Sequence, residues 1–100
     1  MKEIYLEGRC MIECTAAHAE IKEKLSLPEY YGGNLDALWD CLTEWGEETT
    51  LTFGHPGAML SALREYGCRL LRTFIEAEKE NPALHIVIGS HTPHRMEETE

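Results

Sequence analysis

The sequence predicts an α/β fold in which about four helices pack on a three-stranded parallel sheet. Three short segments of strand-forming residues alternate with longer segments of helical periodicity. Strands separated by helices pair in parallel through crossover connections. The chain has 100 residues, 43% of them hydrophobic and 27% charged, which is typical of one globular domain with a single core. We predict that this domain spans residues 1–90 and that residues 91–100 form a polar tail.

The first strand and the first helix are indicated by local propensities. Residues 4–7 favour a strand that stops at Gly8. Thr15 is a suitable N-cap for a helix that runs to about Leu25. Pro28 then ends this region, because a proline interrupts a continuing helix.

A glycine-containing loop over residues 29–34 separates the first helix from the second. Its last residue, Asn34, favours the N-cap position of a helix. The second helix is therefore predicted from Leu35 to about Trp45, where Gly46 stops it.

The second half of the chain repeats the strand and helix alternation. Residues 49–53 are rich in β-branched residues and predict the second strand. A helical pattern follows residues 54–56 and runs to about Glu80, with a break expected at Gly67. Residues 84–88 are mostly apolar, which predicts a third strand covered on both faces.

The charge balance excludes several classes of partner. The 18 Asp and Glu residues outnumber the nine Lys and Arg, for a formal net charge of −9. Such a surface repels nucleic acid and anionic membranes and attracts basic proteins. An acidic surface also simply keeps a protein in solution, so the placement of the charge has to decide. With no export signal and no long apolar run, we expect a cytoplasmic protein that binds neither nucleic acid nor membrane.

The cysteines and histidines predict neither a disulfide framework nor a cofactor. Four cysteines in 100 residues are sparse and fit reduced thiols in the cytoplasm. Cys10, Cys14 and His18 have a spacing in the range for zinc, but no fourth ligand is evident nearby. We therefore predict no metal, and we expect Cys41 and Cys68 to be small packed residues.

The second helix carries two separate lines of side chains. One line is apolar and consists of Leu35, Leu38, Leu42 and Trp45. The other is acidic, with Asp36, Asp40 and Glu44 at spacings of four residues. Like charges at this spacing destabilise a helix slightly. The line is therefore either a solvated face or a recognition surface, and the adjacent Tyr30 and Trp39 have the composition of binding hot spots.

Residues 27–43, LPEYYGGNLDALWDCLT, closely resemble the signature of the barstar family, the intracellular inhibitors of the ribonuclease barnase. The order of strands and helices over residues 2–89 also resembles this family. The resemblance implies a ribonuclease inhibitor without enzymatic activity, whose second helix and preceding loop plug the active site of a basic ribonuclease.

The resemblance also implies roles for individual residues. Asp40 would occupy the position of a substrate phosphate, and Glu76 would match a glutamate on a later helix. Asp36, Tyr30 and Trp39 would surround Asp40. The full set of predicted partner-binding residues is Tyr30, Gly32, Asn34, Asp36, Trp39, Asp40, Thr43, Glu44, Trp45 and Glu76.

Two departures from the family pattern leave alternatives open. Gly33 stands in place of an acidic residue, and Glu44 stands in place of a glycine. One alternative is an immunity protein for a different basic toxin or nuclease. The other is a hydrolase in which Asp36 and Asp40 act as acid and base, although no nucleophile or phosphate-binding loop accompanies them.

Overall fold

The computed structural model describes residues 2–89. These residues form three strands, four α-helices and one 3₁₀ turn at Gly8–Cys10. In chain order the strands and helices are β1 (Lys2–Glu7), α1 (Cys14–Leu25), α2 (Leu35–Thr43), β2 (Thr49–Gly54), α3 (Pro56–Leu63), α4 (Glu65–Glu80) and β3 (Leu84–Ile88). The tail predicted at residues 91–100 lies outside the described residues.

The strands form one parallel sheet in the order β1-β2-β3, which confirms the predicted fold class. Ile4 is opposite Leu51, and Leu51 is opposite Ile86. The central strand β2 is therefore hydrogen-bonded on both sides, while β1 and β3 form the two edges.

The core lies on one face of this sheet. Phe53 of β2 packs edge-to-face on Phe74 of α4, with 4.9 Å between the ring centroids, and both side chains are buried. Glu3 and Val87 point to the opposite face and are exposed. The prediction that β3 is covered on both faces is therefore wrong: Val87 is 45% exposed, because it projects from the sheet face opposite the hydrophobic core.

Two helix boundaries differ from the sequence prediction. The first helix begins at Cys14, so that Thr15 lies in its first turn and Glu13 is the N-cap residue. The second helix ends at Thr43 rather than Trp45. At the end of α2, the side chain of Asn81, which follows α4, donates hydrogen bonds to backbone carbonyl groups, and this contact is not visible in the local sequence.

The break in the long helical segment lies at Arg64 instead of Gly67. Arg64 has φ 57° and ψ −123°, and it separates α3 from α4. Gly67 is buried inside α4, where a Cβ atom would lie only 3.2–3.3 Å from atoms of Leu63, Leu60 and Met59. The glycine therefore allows α3 and α4 to approach closely and does not interrupt the helix.

No helix formed by residues 2–89 combines the length and the apolar character that a membrane crossing requires.

Candidate functional site

The start of α2 is fixed by the loop before it. The Oδ1 atom of Asn34 accepts a hydrogen bond from the backbone N–H of Ala37 at 2.8 Å, which confirms the predicted N-cap. A Cβ atom on Gly32 would lie 3.2 Å from the Asn34 amide nitrogen, so a side chain there would disturb the cap. Gly33 has φ +68°, a conformation that favours glycine. These three residues set where the helix begins.

The end of α2 is held by Asn81, which follows α4. The Asn81 Nδ2 group donates to the carbonyl oxygens of Leu42 at 2.9 Å and Trp45 at 2.8 Å. Its Oδ1 atom accepts from the backbone N–H of Ala83 at 3.0 Å. Asn81 is buried, and it supplies donors for carbonyl groups that the end of a helix leaves without partners. Sequence analysis assigned residues 81–82 only as a helix stop and missed this role.

Trp45 connects the segment after α2 to the sheet. Its indole Nε1–H donates to the Thr49 hydroxyl at 2.8 Å, and the ammonium of Lys2 lies 5.8 Å from the centre of the ring. Trp45 is half-buried, so it combines a structural contact with an accessible surface.

The predicted acidic line is exposed along α2. Asp36, Asp40 and Glu44 are all exposed, and none of them forms an ion pair within residues 2–89. Each step of four residues corresponds to a rise of about 6 Å along the helix axis. Asp36 lies in the first turn, where the helix dipole favours a negative charge. The helix therefore presents a row of unpaired carboxylates to solvent.

The structure brings five predicted site residues together around one groove of about 510 Å³. Asp40 and Glu44 contribute the acidic side of the groove, while Tyr30, Gly32 and Trp45 also line it. Tyr30 is 88% exposed, which is unusual for a large aromatic side chain. The recognition groove, as we call this groove, therefore combines carboxylates with accessible aromatic rings.

A second groove lies between α2 and α4 and has a volume of about 340 Å³. It contains the predicted residues Trp39 and Glu76, together with two arginines that sequence analysis did not select. Its full lining is Leu35, Trp39, Arg69, Arg72, Thr73 and Glu76. We call it the arginine groove. The contact between α2 and α4 could not be anticipated from helix periodicity alone.

The remaining predicted residues, Asn34, Asp36 and Thr43, line neither of these two grooves. Asn34 and Asp36 line a smaller cavity of about 250 Å³ with Tyr66 and Arg69. The Thr43 hydroxyl donates to the carbonyl oxygen of Trp39 at 2.9 Å, with a longer contact to that of Asp40. The Thr43 hydroxyl is thus hydrogen-bonded to the backbone of α2 itself, so Thr43 supports the structure of the helix.

A buried histidine fastens the loop before α2 to the rest of the fold, and sequence analysis missed this contact. The His18 Nδ1 and Nε2 atoms each lie 2.7 Å from a tyrosine hydroxyl, that of Tyr31 and that of Tyr66, respectively. Burial lowers the pKa of His18 and raises the pKa values of both tyrosines. His18 is therefore neutral at pH 7, and both of its ring nitrogens are hydrogen-bonded to these two hydroxyls.

The thiol groups are unpaired. All four cysteines are free; Cys41 is half-buried, and Cys68 is exposed, contrary to its predicted packing, because it faces solvent on α4. Burial raises the pKa of Cys41, and the charges of Asp40 and Glu44 raise it further. Cys41 is therefore a neutral thiol at pH 7. Among residues 2–89, no three His, Cys, Asp or Glu side chains are grouped to hold a metal ion.

Comparisons with known proteins identify a family and a curated relative. A family model described as "Barstar (barnase inhibitor)" matches residues 1–89. A Bacillus subtilis (strain 168) protein named "Putative ribonuclease inhibitor YrdF" is 38% identical over 81 residues. This match covers 80% of the present chain and 89% of the relative. The family match thus includes both grooves and every predicted site residue.

Proposed function

Since the chain belongs to the barstar family, we propose that it inhibits a ribonuclease of the barnase type by occluding the active site with α2 and the preceding loop. In this proposal Asp40 takes the place of a substrate phosphate. The observation that carries the proposal is the row of exposed, unpaired carboxylates on α2 beside the accessible ring of Tyr30.

The chemistry of the enzyme explains why a carboxylate would act as an inhibitor. A ribonuclease has to bind a phosphodiester, and it does so with cationic side chains. A carboxylate placed among these cations accepts charge-assisted hydrogen bonds, which are shorter and stronger than neutral ones. The net charge of −9 would also accelerate the encounter with a basic enzyme.

The rigidity of α2 supports this mechanism. Asn34 caps the helix at its beginning, and Asn81 binds the carbonyl groups at its end. A helix that is ordered before binding loses little conformational entropy in the complex. The short Asp40 side chain has only two rotatable bonds, so fixing it in a complex costs little further conformational entropy. The free energy of the charged contacts would therefore appear largely as affinity.

Other features are consistent with an inhibitor in the cytoplasm and do not favour a hydrolase. The four free thiols suit a reducing compartment. The raised pKa of Cys41 makes it a poor nucleophile next to Asp40. We therefore propose a protein without catalytic activity. Glu44, which extends the acidic row into the recognition groove, is the residue that would favour a basic toxin other than a barnase-type enzyme.

The test is a titration of a barnase-type ribonuclease with this protein and with its Asp40→Asn variant, followed by RNA cleavage at low and moderate salt. Asp40→Asn removes one charge with little change of shape. Glu3→Gln is the matched control, because Glu3 is exposed on the sheet face opposite the core.

We expect Asp40→Asn to weaken inhibition by at least about 30-fold, a change of about 2 kcal/mol, and Glu3→Gln to leave it within about twofold. This magnitude is the general lower limit that defines a hot-spot residue, and the barnase–barstar pair is itself a reference example of such residues. Equal inhibition by both variants would refute the role of Asp40. If the native protein does not inhibit the enzyme, the proposed partner class is wrong.

A further inference from the structure

The basic side chains of the protein fall into two groups. Within residues 2–89, four of them form ion pairs with carboxylates, namely Lys2, Arg9, Lys22 and Lys24. The other four form none, and all of them belong to α4 or to the residue before it: Arg64, Arg69, Arg72 and Lys79. The unpaired cations are therefore concentrated on one helix.

Two of these cations lie next to the proposed interface. Arg69 and Arg72 are exposed and line the arginine groove beside Trp39 and Glu76. Arg69 also borders the cavity that contains Asp36. Both arginines have a glutamate four residues away on α4, yet no ion pair forms. Their guanidinium groups thus remain available at the edge of an otherwise acidic surface.

We propose that Arg69 and Arg72 bind an acidic side chain of the inhibited ribonuclease, located at the border of its cationic active site. This inference rests on the proposed function and adds a requirement on the partner. The recognition surface then has an acidic centre on α2 and a basic flank on α4. A matching enzyme needs the opposite arrangement, with a basic pocket and an acidic residue beside it.

The alternative is an enzyme whose contact surface is basic throughout. Such a surface would place its positive charges opposite Arg69 and Arg72. Such a juxtaposition costs affinity and is a common way to reject wrong partners. Arg69 and Arg72 would then oppose binding of the very class of enzyme that Asp36 and Asp40 attract. The acidic side chain removes this conflict, because it converts a repulsion into an attraction.

The ligand chemistry follows from the groups around the groove. A guanidinium has a planar array of donors that fits a carboxylate with two parallel hydrogen bonds. Leu35 and Trp39 supply an apolar floor that the methylene groups of an Asp or Glu side chain can cover. A phosphate carries more negative charge and would be repelled by Glu76 and Asp36, so a single carboxylate is the better match.

The test compares charge reversals on α4 with a matched control in the same inhibition assay against a barnase-type ribonuclease. The variants are Arg69→Glu and Arg72→Glu. The control is Arg64→Glu, which changes the net charge equally at an exposed position that lines neither groove. Urea unfolding of each variant verifies that stability is retained, and Arg69→Gln and Arg72→Gln replace any variant that is destabilised.

The sign of the effect decides the question. We expect Arg69→Glu and Arg72→Glu each to weaken inhibition about tenfold relative to Arg64→Glu, and more strongly at low salt. A uniformly basic enzyme surface predicts the opposite, since a new carboxylate would strengthen binding. Unchanged or strengthened inhibition would thus overturn the inference while the proposed function stands. If the native protein fails to inhibit, both are overturned.

A charge swap then locates the partner group. Each exposed carboxylate around the active site of the ribonuclease is changed to lysine in turn, and the enzymes are tested with native protein and with Arg69→Glu or Arg72→Glu. We expect one such enzyme to bind the native protein less tightly and to recover at least about fivefold with an α4 variant. Failure of every lysine substitution to restore inhibition would contradict the proposed contact.

Discussion

Asn81 provides the most demanding test of how the end of α2 is held in place. It belongs to the connection between α4 and β3, yet its side chain binds the backbone at the end of α2. We predict that Asn81→Ala destabilises the whole domain and loosens the last turn of α2 in particular. Glu80→Ala is the control, because Glu80 is exposed and immediately precedes Asn81.

The magnitude follows from the groups that lose a partner. The carbonyl of Leu42 also accepts from the backbone N–H of Trp45 at 3.2 Å, so it keeps one hydrogen bond. The carbonyl of Trp45 and the N–H of Ala83 lose the contacts that Asn81 gives them. Two groups left partly unsatisfied cost about 1.5–3 kcal/mol together, which corresponds to a fall in Tm of about 6–24 °C for a domain of this size.

The assay is urea unfolding combined with hydrogen exchange of the α2 amides. We expect a lower unfolding midpoint for Asn81→Ala at an unchanged m-value, and faster exchange at Glu44 and Trp45 than at Ala37. Glu80→Ala should remain within about 0.5 kcal/mol of the native protein. Equal midpoints for the two variants, or exchange rates that rise uniformly along α2, would refute the idea that Asn81 holds this end of the helix.

Two further predictions concern the beginning of α2 and the loop that precedes it. Asn34→Ala should lower the free energy of unfolding by about 1 kcal/mol, because the hydrogen bond to the Ala37 N–H is lost. Asn34→Asp should retain most of this stability, because an aspartate can also cap the helix. Equal urea midpoints for the two variants would contradict the role of the cap. Folding lowers the pKa of His18 below its ordinary value of 6.5. The unfolded chain therefore binds the proton more tightly, so stability should be full above pH 6.5 and decline as the pH falls below it. His18→Gln should flatten this part of the stability profile, and an unchanged slope in the variant would assign the pH dependence to other groups.

The fold and the start of the site could be predicted because their signals are local. Asn34 before a helical pattern, and strand-forming segments such as residues 49–53, carry their information within a few residues. The resemblance of residues 27–43 to a family signature added the candidate contacts of Asp40. What these features share is that they depend on chain neighbours and require no knowledge of which surfaces meet in the folded protein.

Most of the features that could not be predicted from the sequence depend on contacts between separate elements of the fold. Gly67 suggests a break by its composition, but the close approach of α3 makes it an interior residue of α4. Asn81 binds carbonyl groups 36 and 39 positions away, and His18 meets a tyrosine 48 positions away. Arg72 is an ordinary exposed residue until α4 packs beside α2. Such pairings follow from tertiary packing and cannot be predicted from the hydrophobic periodicity of the sequence.

The arrangement of charge on α2 has a cost that the protein offsets in a specific way. Asp36, Asp40 and Glu44 repel one another along the helix, and within residues 2–89 no cation pairs with them. An internal partner would stabilise the free protein, but binding would then have to break that pair. The fold instead stabilises α2 at its ends, through Asn34 and Asn81, with neutral hydrogen bonds that involve none of the three carboxylates. The carboxylates of α2 are thus held in place without neutralisation in the free protein, which is the state that the proposed inhibition requires.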